Sequence, residues 1–149
     1  MIIGLALPTR QTRGCNSLEV CMREPRIATV AEVTEVKNFE RADEVREFPH
    51  GRLELVRVGG AVIGRATLEP GWRWSESVRP IVQTDSCEAP HFQYQVSGTL
   101  RIRLDDGREL ECHAGDVALV APGHDAWVVG DEPVVIVDFQ GMTAYAKAT

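Results

Sequence analysis

Residues 84 to 98 read TDSCEAPHFQYQVSG, and within them Cys87 and His91 stand four residues apart, just ahead of a strand-like run that closes on Gly98. A thiol and an imidazole in this relation have two chemistries open to them. As thiolate and neutral imidazole they are ligands for a divalent metal, zinc more readily than iron. Without a metal, they can pair as nucleophile and base, or imidazoles can move protons as general acid and base, because imidazole titrates near neutral pH. The chain has four histidines and four cysteines. Of these, His50 in FPHG and Cys112-His113 in ECHAG sit beside turns and are read as structural or solvent-exposed.

Either chemistry needs an element that aims the side chains. In a strand, residues at i, i+2 and i+4 share a face, so His91, Gln93 and Gln95 point one way while Phe92, Tyr94 and Val96 point the other. If His91 faces inward, the two glutamines line a wet cavity, since a buried amide left unpaired costs roughly 1–3 kcal/mol. A parity shift at a bulge makes Phe92 and Tyr94 the core face instead. Trp72 and Trp74 share a face in PGWRWSE, and with Trp127 they offer flat apolar area for a small organic ligand; core or dimer packing is the competing use. Arg73, Glu76 and Arg79 read as solvated charges nearby.

The rest of the chain has a strand rhythm. Short apolar runs (ATVAEVTEV, RLELVRVGGAVIGRATLEPGW, FQYQVSGTLRIRLDDGREL, GDVALVAPG, AWVVGDEPVVIVDF) are separated by turn signals. Leu100, Ile102 and Leu104 alternate with Arg101 and Arg103, and Asp106-Gly107 marks a hairpin, with further turns at Gly59-Gly60 and Gly130-Asp131. Only ERADEVREF, residues 40 to 48, reads as a helical turn or two. Strands this closely spaced predict a mainly antiparallel all-β sandwich or barrel. Residues 1–26, with Pro8, Gly14 and Pro25 and no sustained period, read as an N-terminal arm, and residues 27–149 as a single domain.

Composition narrows the partners. A chain of 149 residues with 44% hydrophobic and 26% charged residues is ordinary for one globular domain. A formal net charge of −6, from 16 basic and 22 acidic residues, argues against a nucleic-acid partner, which needs clustered Lys and Arg. The opening MIIGLAL has too short an apolar run to span a membrane and no preceding positive charge, so the expectation is a cytoplasmic protein without a membrane partner. Cys15, Cys21, Cys87 and Cys112 form no CxxC pair and are expected as thiols, with a Cys15–Cys21 disulfide reserved for an exported protein.

Two segments resemble the cupin family, small barrels built as a double-stranded β-helix of the jelly-roll type. The family's first motif runs G, five residues, HxH, three or four residues, E, six residues, G; here Gly98 fits its close after FQYQV, and Gly71 lies at its approach. The second runs G, five residues, PxG, two residues, H; here GDVALVAPGHDAW places Gly115 at its start and Gly123 at the PxG glycine. The resemblance spans roughly residues 47 to 141, and every ligand position departs from the pattern. His91 takes the place of the Glu, the HxH falls on Asp85-Ser86-Cys87 or on Thr84-Asp85-Ser86 according to loop length, and the second-motif His becomes Ala126, with His124 two positions earlier.

By that resemblance Cys87, His91 and His124 converge on a barrel mouth, three ligands that leave one position open, with Asp85 as a fourth ligand or as the partner of a His ring nitrogen. The implied function is a small cupin enzyme acting on a small organic molecule. Isomerase or lyase chemistry is favoured over oxygenase chemistry, because a thiolate beside an oxygen-activating iron risks its own oxidation. A ligand-binding or sensing module without catalysis, and a metal-free Cys/His acid–base site, remain open. Asp125, next to His124, reads as a turn residue rather than half of a catalytic dyad. Small cupins commonly pair through sheet edges, which implies a homodimer.

Overall fold

The computed structural model of the chain describes residues 34 to 148. The arm expected over residues 1–26, most of the ATVAEVTEV run, and Cys15 and Cys21 lie outside the described residues. From residue 34 the chain is irregular until a single 3₁₀ turn at Phe39–Arg41, which Asn38 caps by accepting the Glu40 N–H at 2.8 Å.

The order that follows is β1 (Glu44–Phe48), β2 (Gly51–Val58), β3 (Ala61–Leu68), α1 (Trp74–Ser77), α2 (Arg79–Val82), β4 (His91–Ser97), β5 (Thr99–Leu104), β6 (Glu109–His113), β7 (Val117–Val120), β8 (His124–Val129) and β9 (Val134–Asp138). The helical reading of residues 40 to 48 is therefore corrected: the 3₁₀ turn ends at Arg41, residues 42 and 43 are irregular, and Glu44–Phe48 is strand. Its Glu-rich composition favours helix locally, but Glu44 to Phe48 pair in register with Leu55 back to Gly51, and this cross-strand pairing wins. The two short helices were not signalled by any sustained period.

All pairing is antiparallel, in a six-stranded sheet ordered β1-β2-β3-β9-β4-β7 and a three-stranded sheet ordered β6-β5-β8. Hairpins turn at Gly59-Gly60 and Asp106-Gly107 as the sequence predicts. The inward faces meet in a core that includes Leu53, Leu55, Leu100, Ile102, Val134 and Ile136. Gly98, at φ 70°, turns the chain from the first sheet into the second where a Cβ would lie 2.7 Å from the Pro133 carbonyl oxygen. Only glycine fits both the conformation and the space. No helix among the described residues is long and apolar enough to cross a membrane.

Candidate functional site

Cys87 lies on the loop between α2 and β4, and that loop is tied to the opposite sheet. Its N–H donates to the His124 carbonyl at 2.8 Å, and its carbonyl accepts the Gly123 N–H at 2.8 Å. This isolated antiparallel bridge brings Cys87 beside His124, the first residue of β8. His91 opens β4 on the other sheet. The three side chains are buried, at 2%, 4% and 5% exposure, and each offers a ligand atom within 4.8 Å of the others. The Cys87 Sγ to His91 Nε2 distance is 3.5 Å, and the two imidazoles meet edge to face at 5.4 Å between centroids.

Hydrogen bonds on the far side of each ring fix its orientation. His91 Nδ1 is 2.5 Å from the carboxylate of Asp138, whose other oxygen accepts the Gln140 N–H at 2.6 Å. His124 Nδ1 donates to the Ala121 carbonyl at 2.8 Å. With both Nδ1 atoms so engaged, the Nε2 atoms are the ones left to meet the sulfur, which is how second partners orient metal-binding imidazoles. Asp138 is fully buried and caps the inward row Val134, Ile136, Asp138 of β9.

Burial alone would raise the Cys87 thiol, but contact with the His124 and His91 imidazoles outweighs it and brings the pKa from 9.0 down to about 6. Burial likewise opposes charge on His91; Asp138 and Cys87 overcome it and raise the ring from 6.5 to about 9. Both shifts run toward the charge-separated pair, a thiolate facing an imidazolium. Tyr145, whose ring stands edge-on to His91 at 5.6 Å, is held well above its usual value by burial and by Cys87 and Asp138, so its phenol stays neutral. The donor set fits a divalent cation: a soft sulfur and two imidazole nitrogens converge, and a bound cation takes the place of the proton His91 carries.

The expected face of β4 is realised. His91, Gln93 and Gln95 are buried, while Phe92, Tyr94 and Val96 are 44%, 41% and 46% exposed. Trp72 and Trp74 are also buried, and with Gln93, His91 and His124 they wall a lumen of about 30 Å³, room for about two waters. Three buried polar atoms, Trp72 Nε1, Gln93 Nε2 and Gln95 Oε1, have no partner among the described residues. Gln95 Nε2 donates to the Ser97 and Gly98 carbonyls.

Other expected site residues lie elsewhere. Trp127 is on the outward face of β8, with the Arg73 and Arg103 guanidinium carbons 4.9 and 5.8 Å from its ring centroid, and lines neither the lumen nor the cleft at the barrel mouth. Asp85 is exposed and lines a separate polar cleft with Arg73, Arg79 and Arg103, away from the Cys87 group. Asp125 proves to be a tether, not a turn residue: it accepts from Ser75 N–H, Ser75 Oγ and Arg73 Nε at 3.1, 3.0 and 2.9 Å, which fastens α1 to β8. Sequence reasoning missed Asp138 and Tyr145. The alternation of VVIVD carried a signal for Asp138, a carboxylate in register with apolar inward residues; Tyr145 had none.

The C-terminal segment closes over this end of the barrel. Met142 and Tyr145 enter the core, and Arg46 of β1 donates to the Met142, Thr143 and Tyr145 carbonyls. Gly141 passes so close to the β4 entrance that a Cβ would stand 2.0 Å from the Pro90 carbonyl oxygen.

No family model matches the chain, and no curated protein matches it. Solved structures do. A protein of unknown function from Rhizobium leguminosarum bv. viciae superposes with a TM-score of 0.54 at 14% identity over 72% of this chain and 96% of its own. An RmlC-like cupin from Shewanella frigidimarina gives 0.52 at 16% identity, covering 74% and 94% of the two chains. KdgF from Halomonas sp. gives 0.50 at 17% identity, covering 73% and 94%. Identities at this level establish the fold alone. Two antiparallel sheets packed on one core agree with these superpositions: the chain has the jelly-roll β-barrel fold that these cupin structures share.

Proposed function

We propose that Cys87, His91 and His124 hold a divalent metal, zinc rather than iron, and that the barrel acts on a small organic molecule by proton transfer, as an isomerase or lyase. The observation that carries this is the engagement of both imidazoles at Nδ1, which leaves two Nε2 atoms and one sulfur facing a common point. A metal bound there supplies Lewis acidity toward a carbonyl or a water. With a metal on His91 Nε2, Asp138 would hold the ring at Nδ1 and His91 would serve as a ligand; without the metal, Nε2 is the atom that holds or yields a proton. Trp72 Nε1 and Gln93 Nε2, donors without acceptors among the described residues, are placed to bind the oxygen of a water in the lumen, beside Trp74. The thiolate ligand disfavours oxygenase chemistry for the reason of its own oxidation.

A metal-free reading is favoured by one observation: Cys87, His91 and Asp138 form a nucleophile, base and orienting carboxylate in sequence, at 3.5 and 2.5 Å. A non-catalytic binding module would use the same barrel without a reaction. Elemental analysis separates these. Protein purified without chelator or affinity-tag metal should carry near-stoichiometric zinc that is lost in Cys87→Ala and His91→Ala. No metal, even after zinc is added back, would overturn the metal reading and leave the metal-free site.

We also propose a homodimer. Phe92, Tyr94 and Val96 of β4, Val117 and Leu119 of the sheet-edge strand β7, and Phe139 make an exposed apolar face, with Leu119 77% exposed.

A further inference from the structure

The lumen is too small for an organic molecule, yet the Cys87 group has a second cavity on its other side. A cleft of about 400 Å³ opens between α1–α2, the loop carrying Cys87, and the C-terminal segment. Cys87, Trp74 and Tyr145 form its inner wall, and Trp74 and Tyr145 also line the lumen, so these two rings partition the two spaces. The volume lies within the roughly 300–1,000 Å³ typical of small-molecule sites. The lumen, by contrast, takes about two waters.

The lining defines what fits. Val78 and Val82 come from the helices, Ala89 and Pro90 from the loop, Ala144 and Ala146 from the tail. The polar groups on the wall are largely committed: Thr84 Oγ1 donates to the Ser86 carbonyl at 2.8 Å, and Lys147 stands 3.5 Å from Glu44. Glu88, the other charged residue of the lining, is exposed at the rim. A charged body against the inner wall would lose its hydration with no charged partner there, because Glu88 and Lys147 stand at the exposed rim. An apolar body would gain from burial against them.

We infer that the cleft at the barrel mouth, rather than the lumen, houses the substrate, and that the substrate is an uncharged, predominantly apolar carbonyl compound presented edge-on to Cys87. The inference rests on the proposed metal-assisted reading for the word substrate, but not for the existence or polarity of the site. A carbonyl is the polar group that suits the inner wall, whose polar members are the Cys87 group and the neutral phenol of Tyr145. The lumen then keeps its waters behind Trp74 and Tyr145, where Trp72 Nε1 and Gln93 Nε2 give them donors.

Cys87 itself reports on access. In chelator-treated full-length protein, labelling by N-phenylmaleimide and by N-(2-carboxyethyl)maleimide is compared by peptide mass mapping, with glutathione as the reference for intrinsic reactivity. The expected result is a preference of about tenfold for the phenyl reagent at Cys87 beyond the glutathione ratio, and a loss of about tenfold in its rate in Ala144→Trp. Ala144 is exposed at the lip of the cleft, so this substitution obstructs the entrance without entering the core. Equal normalised rates for the two reagents, no labelling by either, or an unchanged rate in Ala144→Trp would each overturn the inference. Zinc content of untreated wild type and Ala144→Trp is read separately: zinc absent from both sinks the metal reading and leaves the cleft standing, whereas zinc present with no reagent preference does the reverse.

Discussion

Asp138 does for His91 what the Ala121 carbonyl does for His124: it accepts the Nδ1–H hydrogen bond and leaves Nε2 for the sulfur side of the site. The two partners differ in charge, and that difference is measurable. Replacing a carboxylate behind a metal-binding imidazole typically weakens the metal by about 10–100-fold, so Asp138→Asn should lower zinc affinity by that factor in competition with a chromophoric chelator. His91→Ala should abolish binding. That Cys87, His91 and His124 come together was legible in the sequence, because they fall at or next to motif positions that the closing glycines fix. Asp85 was misplaced because a loop of uncertain length precedes Cys87, and parity arguments stop where a strand does. Trp127 was misplaced for a different reason: its neighbour Ala126 takes the inward position, and β8 alternates strictly from His124.

At the scale of elements, strands were legible wherever alternation ran for five residues or more, and β1 was not, because its helix-favouring composition is overruled only by pairing with β2. That strand turns out to secure the mouth of the barrel. Arg46 is nearly buried and its guanidinium satisfies three tail carbonyls while Glu44 pairs with it at 2.8 Å. Arg46→Ala should destabilise the protein by about 2–3 kcal/mol in urea denaturation, and Arg46→Lys should recover little, since one ammonium cannot span three acceptors. Glu44 adds a pH dependence. The hydrogen bond from Arg46 outweighs burial and lowers its pKa from 4.5 to about 2. A carboxylate depressed in the folded state stabilises above its unfolded pKa and loses that contribution as pH falls through the folded one. The stability gap between wild type and Glu44→Gln should therefore be constant above about pH 5 and shrink steadily toward about pH 2, followed by denaturant midpoints across that range.

For the whole molecule, the apolar outer face of β4, β7 and Phe139 stands on the side of the sheet away from the lumen, and β7 is a sheet edge with backbone groups left to pair. If a second copy covers it, light scattering at micromolar protein gives a dimer mass, and Leu119→Lys, at a position already exposed, gives a monomer that keeps its zinc. A wild-type monomer would overturn the dimer. This face was half legible: parity on β4 predicted three of its residues as outward, but sequence alone does not tell which strand ends a sheet.

The Cys87–His124 bridge ties a loop leading into the six-stranded sheet to the first residue of β8 in the other. His91 and His124 are 33 residues apart in sequence, so the site exists only after the two sheets have docked across a long closed loop. The prediction is that these contacts form on the native side of the folding barrier, after the loop-closure cost has been met. Zinc should then leave the refolding rate in stopped-flow experiments unchanged and slow unfolding instead, so that occupancy of the site shows as kinetic persistence of the folded barrel.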